Sequence, residues 1–425
     1  DWSSGRVLFR SSSSVISPST KSIIKSFTTS YPSVKHVTFD AVSYSALRYA
    51  NNVTWAKNEI ASYNFEKANV IVGIACDFLG NWLNPIEFAA QYGMTRKVSK
   101  ENPVMSKHYH FESNLSLTGA NADERFPVKP SEFGKIAVSL FNEVAALTGN
   151  KPGAEVSVAS AAAVKKIAKQ LVDNKGKSLV VCGINENNIQ VIVSGINRML
   201  ENYGKTLDVD TPLYLKQGDD KEVINFTKEL RDGKIAGVIF YNCNPAYTLP
   251  ASLGGGEKFS ASLKNLFTVS FAQVYDETAQ ACKYVCPDHN YLESWGDAHP
   301  KLGHYTLQQP AITPLFGIKR LMDAGRGTRQ AQDSLLKWSG VKSDYYSYLN
   351  SYWKRNLYTR QGKYQDFWSF WSNALHDGVL KLNKTRVASV EDIPTDSTVT
   401  DVNIVPLAVQ FDSLGNEIVP QAAVS

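Results

Sequence analysis

The chain has 425 residues, 43% of them hydrophobic and 20% charged, with Lys plus Arg exceeding Asp plus Glu by 45 − 40 = 5. At roughly 150 residues per domain this predicts two or three domains, each able to build a core. The weak, scattered positive charge gives no nucleic-acid-binding stripe, and no apolar run reaches the roughly 18 residues of a membrane span. No signal peptide opens the sequence, so either a targeting segment was removed or the chain is a piece of a longer protein. The cysteine count of five is odd and no CxxC occurs, which argues against a disulfide framework, a zinc ribbon or a cysteine-ligated cluster.

In chain order, "RVLFRS" (6–11) reads as a strand, and Pro18 starts a helix where its missing N–H costs nothing. "VKHVTF" (34–39) is a strand and "SYSALRYANNV" a helix. "NVIVGIA" (69–75) is a buried strand, "NPIEFAAQYG" a helix closed by Gly93, and "KHYHFES" (107–113) a strand. The alternation restarts after 151: a helix ended by Gly176, the strand "SLVVCG", two more helices, then the strands "AGVIFYN", "NLFTVSFAQ" and "KYVC". Alternating strands and helices predict mainly parallel sheets covered by helices, an α/β fold. Tyr345, Tyr348 and Tyr352, then Phe367 and Trp371, fall at the spacing of one helix face; both faces of the segment are expected to pack inside the chain, the alternative being an outward face with Trp353 and Trp368 that docks a partner. Residues 391–425 are polar and turn-rich and read as an extended arm.

No phosphate loop, dinucleotide fingerprint, nucleophile elbow or HExxH motif is present. One stretch concentrates soft and charged side chains: Cys282, Cys286, Asp288, His289, Glu293, Asp297 and His299. A strand between Cys282 and Cys286 would hold their sulfurs about 13 Å apart, too far to share one ion. Glu293 and Asp297 read as carboxylates that tie down a loop rather than as an acid/base pair.

The segment "ETAQACKYVCPDHNYLESWGD" (277–297) resembles one found in the molybdopterin oxidoreductase family. So do "EKANVIVGIACDFLGNW" (66–82), "SLTGANADERFPVKPSE" (116–132) and "YNCNPAYTLP" (241–250), in the family's order and spacing. "YTLQQPAITPLFGIKR" (305–320) is similar to one branch, the large iron–sulfur subunit of alternative complex III, a quinol:cytochrome c oxidoreductase. The resemblance implies several interleaved Rossmann-like αβα units: 1–45 with 151–210, an inserted 46–150, a third at 211–335, then an aromatic helical segment at 336–390. It implies a strand-end crevice shaped by Ser43, Asp77, Cys243, Asn244, Pro245, Asp288, Glu293 and Asp297. Where the family places a cysteine on the metal, this chain reads "DAVSYSA" (40–46), and its cofactor loops read "FES" (111–113) and "PSEF" (130–133). These departures lead to the expectation of a module without cofactor, a scaffold on the periplasmic side of a membrane-attached respiratory complex. Its implied partners are other subunits and an iron–sulfur domain. The alternative is a bis-molybdopterin-guanine-dinucleotide enzyme with Ser43 or Asp40 on the metal.

Overall fold

The computed structural model describes residues 7–100, 103–316 and 327–382, with two short strands, Gln410–Phe411 and Glu417–Ile418, that pair antiparallel. Most of the expected arm, 391–425, lies outside the described residues, as do 317–326. The fold is α/β, as expected, and the described chain forms two compact units, 7–45 with 213–382 and an inserted 46–212. No helix among the described residues is long and apolar enough to cross a membrane.

The first unit starts with β1 (Val7–Ser12), α1 (Pro18–Ser30) and β2 (Val34–Thr38). The inserted unit holds α2 (Ser45–Trp55), β3 (Ile60–Tyr63), β4 (Val70–Ile74), α3 (Pro85–Arg96), β5 (Lys107–Glu112), α4 (Leu117–Ala120), β6 (Glu124–Pro127), α5 (Phe133–Thr148), α6 (Ala161–Asp173), β7 (Ser178–Cys182), α7 (Asn187–Met199) and most of β8 (Leu207–Leu213). Its parallel sheet runs β6-β5-β4-β7, with Val72 opposite both Tyr109 and Val180. Every residue of β4 and β7 is buried, which is why both read as unbroken apolar runs rather than alternating ones. Helices α5, α6 and α7 cover one face through Ile136, Leu140, Val164, Leu171 and Ile192. Gly93 does not close α3; the helix passes through it to Arg96, because helical backbone suits glycine well enough when nothing at that point demands a left-handed residue. Helix α5, which the sequence reading passed over, ends on Gly149 at φ 72°.

In the first unit follow α8 (Asp220–Arg231), β9 (Ile235–Tyr241), α9 (Pro245–Thr248), α10 (Glu257–Leu263), β10 (Phe267–Ser270), α11 (Glu277–Ala281), β11 (Tyr284–Val285), β12 (Gly296–Lys301), β13 (His304–Gln308), α12 (Ala331–Trp338), α13 (Tyr345–Asn356), α14 (Phe367–Asp377) and β14 (Leu380–Lys381). The parallel sheet runs β11-β10-β9-β1-β2. Strand β9 feeds two cores by its period of two: Val238 and Phe240 pack with α8 and α10, whereas Ile239 faces α1, α12 and α13. Strands β12, β13 and β14 pair antiparallel, with Asp297 opposite Leu307 and His304 opposite Lys381.

This grouping corrects the expected domains. Residues 7–45 join 213–382 rather than 151–210, since β1 lies between β2 and β9. Residues 151–212 complete the inserted unit, since β7 pairs with β4. Parallel pairing joins strands distant in sequence, and equally apolar runs carry no label for their neighbour. The aromatic segment is also part of the first unit: Tyr345, Leu349, Trp353, Phe370 and Trp371 are buried in its core. The buried stripe of α13 is Tyr345, Leu349 and Trp353, so Trp353 packs inside the chain, as expected, and takes no part in the alternative outward face; Trp368 is exposed.

The Trp353 indole N–H donates to Asp297 Oδ2 at 2.9 Å inside this core. Asp297 Oδ1 accepts from Ser17 and Ser19 at 2.5 and 2.7 Å, and Ser19 bonds the Tyr345 hydroxyl at 2.8 Å. Trp353→Phe, which keeps most of the ring but deletes the donor, should cost about 2 kcal/mol in chemical denaturation, the range for a bond to a buried charged acceptor. A loss below about 0.5 kcal/mol would show that the carboxylate does not need this donor.

Candidate functional site

The two parallel sheets end in the same construction. Strand β4 runs into Ala75 (φ 46°) and β9 into Asn242 (φ 55°), left-handed residues that turn the chain sharply. Each is followed by a cysteine, Cys76 or Cys243, and then by Asp77 or Asn244. Asp77 Oδ1 accepts from the N–H and hydroxyl of Thr118 at 3.1 and 2.7 Å. Asn244 Oδ1 accepts from the same two groups of Thr278 at 3.2 and 2.7 Å. The threonine hydroxyl in turn accepts from Leu79 N–H in one unit and Ala246 N–H in the other, at 2.8 and 3.0 Å. Both threonines lie in the first turn of a short helix, α4 capped by Ser116 and α11 capped by Asp276. In this way the loop after the first strand is bolted to the loop after its neighbour. Sequence reasoning picked out Asp77 and Asn244 but missed Thr118 and Thr278. The signal was there: each threonine precedes a proline by the same interval, 118 to 127 and 278 to 287.

The remaining expected residues belong to the first unit, and each is bound to its own chain. Pro245 begins α9, and Cys243 packs at the margin of the core beneath it. Asp288 Oδ1 accepts from Ala331 and His289 N–H at 2.9 and 2.8 Å, tying the loop after β11 to the start of α12. Glu293 holds Asn290 N–H and Leu315 N–H at 3.1 and 3.0 Å, and Asp297 sits in the core described above. Asp77 lies in the inserted unit.

The two candidate oxygen ligands are engaged as well. Asp40 is buried and accepts from Ser14 N–H and Oγ at 3.0 and 2.5 Å, and from Gln217 and Gly218 N–H at 3.2 and 2.9 Å. Such a carboxylate organises backbone and does not fit the role of a metal ligand. Ser43 Oγ accepts from Ser45 N–H at 3.1 Å at the entry to α2. Among the described residues no group of three or more His, Cys, Asp or Glu side chains is arranged to hold a metal ion. Cys282 terminates α11 beside Thr268, and burial pushes its thiol up to about 12.

Burial also dominates the electrostatics of the charged groups. It raises Asp288 to about 6, against the pull of its two backbone donors. It lowers His108 and His299 to about 3, so both imidazoles are neutral. His299 stacks flat on Tyr305 at 4.1 Å.

A distant fold relationship follows from solved structures. Acetylene hydratase from Pelobacter acetylenicus, a molybdopterin enzyme, superposes with a TM-score of 0.54 at 12% identity over 79% of this chain. The match spans 55% of that protein, so the present chain corresponds to about half its length. The formyltransferase/hydrolase complex from Methylorubrum extorquens, solved with methylofuran, gives a TM-score of 0.50 at 8% identity over 79% of this chain and 91% of that one. No family model and no curated protein matches the sequence. What is shown is an α/β fold distantly like that of a molybdopterin enzyme.

Thr118→Val and Thr278→Val each delete one donor and one acceptor at a fully buried hydroxyl, and each should cost about 2 kcal/mol of unfolding free energy. Asp288 gives a pH test. Its folded carboxyl keeps a proton to about pH 6, whereas the unfolded one releases it near 3.8. Between these values the folded chain binds more protons, so this group's contribution to stability falls as pH rises. Asp288→Asn should remove that fall: the stability of the natural chain minus that of the variant should decrease from about pH 4 to about pH 6 and then level off. A flat difference across this window would refute the assignment.

Proposed function

We propose that the chain is a scaffold of molybdopterin-oxidoreductase type that works without a cofactor of its own, within a membrane-attached quinol:cytochrome c electron-transfer complex of the alternative complex III kind. The observation that carries the reading is the engagement of the strand-end polar groups by the chain's own donors. Asp77, Asn244, Asp288 and Glu293 each close a loop, and Asp40 is spent on backbone. A strand-end crevice that serves a ligand leaves such groups open to it; here they stiffen the loops that a partner would meet. In this reading the chain supplies no catalytic group. Iron–sulfur clusters belong to a partner domain, and the module sits at the periplasmic face among the other subunits. Exposed apolar side chains on successive strand-end loops of the first unit, Tyr247, Tyr275, Tyr291 and Leu315, support a protein partner there.

The test is to isolate the chain from membranes with whatever accompanies it and to assay metals and released pterin. The expected result is an iron-containing assembly in which this chain carries neither molybdenum nor tungsten and yields no pterin. Stoichiometric molybdenum in the chain, or recovery as a lone monomer from the membrane fraction, would sink the proposal.

A further inference from the structure

Strand β5 carries His108, His110 and Glu112 on one side, the period-two set of "KHYHFE". All three are buried, and the two imidazoles meet edge to face at 5.4 Å. Neither nitrogen of His110 has a hydrogen-bond partner, and Nε2 lies 3.4 Å from Glu112 Oε2. Glu112 is already committed. Its Oε1 takes the Arg125 guanidinium of β6 at 2.5 Å, and its carboxylate takes Ser116 N–H, at the start of α4, at 3.3 Å. The groups facing His110 are therefore Glu112 and His108 from β5, Asp77 from the loop after β4, and Arg125 from β6. His108 is faced in turn by Tyr92 and Arg96 of α3 and by Asp123. The site is built closely: a Cβ at Gly73 would strike the His110 ring, one at Gly119 would strike Glu112, and one at Gly80 would strike Asp77.

We propose that this cluster is a proton-sensitive latch: proton uptake at His110 releases the loop 113–121 of the inserted unit, exposing Glu112 and Asp77. In the closed loop exclusion from water keeps His110 neutral, outweighing Glu112 and Asp77, which favour a proton on the imidazole, while Arg125 opposes one. A proton on His110 would be a charge buried out of reach of water, beside a Glu112 that Arg125 already holds. The proton therefore goes to the open loop, where the imidazole is hydrated, and opening becomes coupled to proton uptake. Burial holds His110 at about 4 in the closed state, against 6.5 for the free side chain. The matching loop of the first unit is an internal control. Ala272 stands where Glu112 stands, counting back from the threonine (118 − 112 = 6, 278 − 272 = 6), and Asn244 where Asp77 stands. Its bolt holds no histidine: Asn244 donates to Glu277 at 2.7 Å, and that bond holds the Glu277 carboxyl below its ordinary value, so it does not titrate between about pH 5 and about pH 7.5.

Amide hydrogen exchange on the full chain, corrected for intrinsic rates, tests this. Linkage to a group that titrates normally when open predicts that opening of 113–121 rises about thirtyfold from about pH 7.5 to about pH 5, while 272–281 does not respond. His110→Gln should abolish the difference and His108→Gln should leave it. An equal response of both loops, or an excess that survives His110→Gln, would overturn the latch. Should His110→Gln fail to fold, loss of the excess in His108→Gln would do the same.

Discussion

One buried carboxylate sets the terms for the first unit. Asp297 gathers the start of α1, the middle of α13 and the strand β12 on its two oxygens. Taking a carboxylate out of water costs several kcal/mol, and that burial raises the pKa of Asp297 even against three donors. Such a group is tolerable only when every donor is in place. Its presence therefore demands that helix, strand and aromatic segment arrive together, which apolar contact alone does not require. The Trp353 ring fills core volume and supplies one of the donors, so packing and polar satisfaction are met by the same side chain.

The strand ends follow a second rule. A parallel sheet leaves its loops at one end with nothing but each other to hold them. Here the threonine bolt does that work twice, with an acid in one unit and an amide in the other. An acid and an amide of the same shape accept the same two bonds, but only the acid carries charge. The inserted unit then adds Glu112, Arg125 and two histidines around its bolt, whereas the first unit adds Glu277, which takes the Asn244 amide.

Much of this could be read from the sequence. Apolar runs bounded by turns located β4, β7 and β9, and Pro18 marked the start of α1, because these signals are local. Asp288 and Glu293 stood out for the same reason and do close loops, whereas Asp297, read in the same way, is held in the core by the side chains of Ser17, Ser19 and Trp353. Strand order was not legible, since β1 finds β9 across the whole inserted unit. Inward packing of the aromatic segment was legible, but not which stripe lies deepest: the helical period fits one through Tyr348 and Tyr352 as well as one through Leu349 and Trp353. The bolts escaped notice because each joins residues about forty apart, Asp77 to Thr118 and Asn244 to Thr278, where sequence pattern has no reach.

The insertion bears on how the chain comes to be folded during synthesis. Val7 must wait for Ile235 before β1 gains its second neighbour, whereas β4, β5, β6 and β7 all lie between residues 70 and 182. On a ribosome the inserted unit can complete its sheet while the first two strands of the molecule still lack β9 and β10. Loop closure makes such distant pairings slow, and strands left waiting present open edges that other chains can join. A finished insert shortens that search, since it replaces more than a hundred loose residues with a compact body between the strands that must meet.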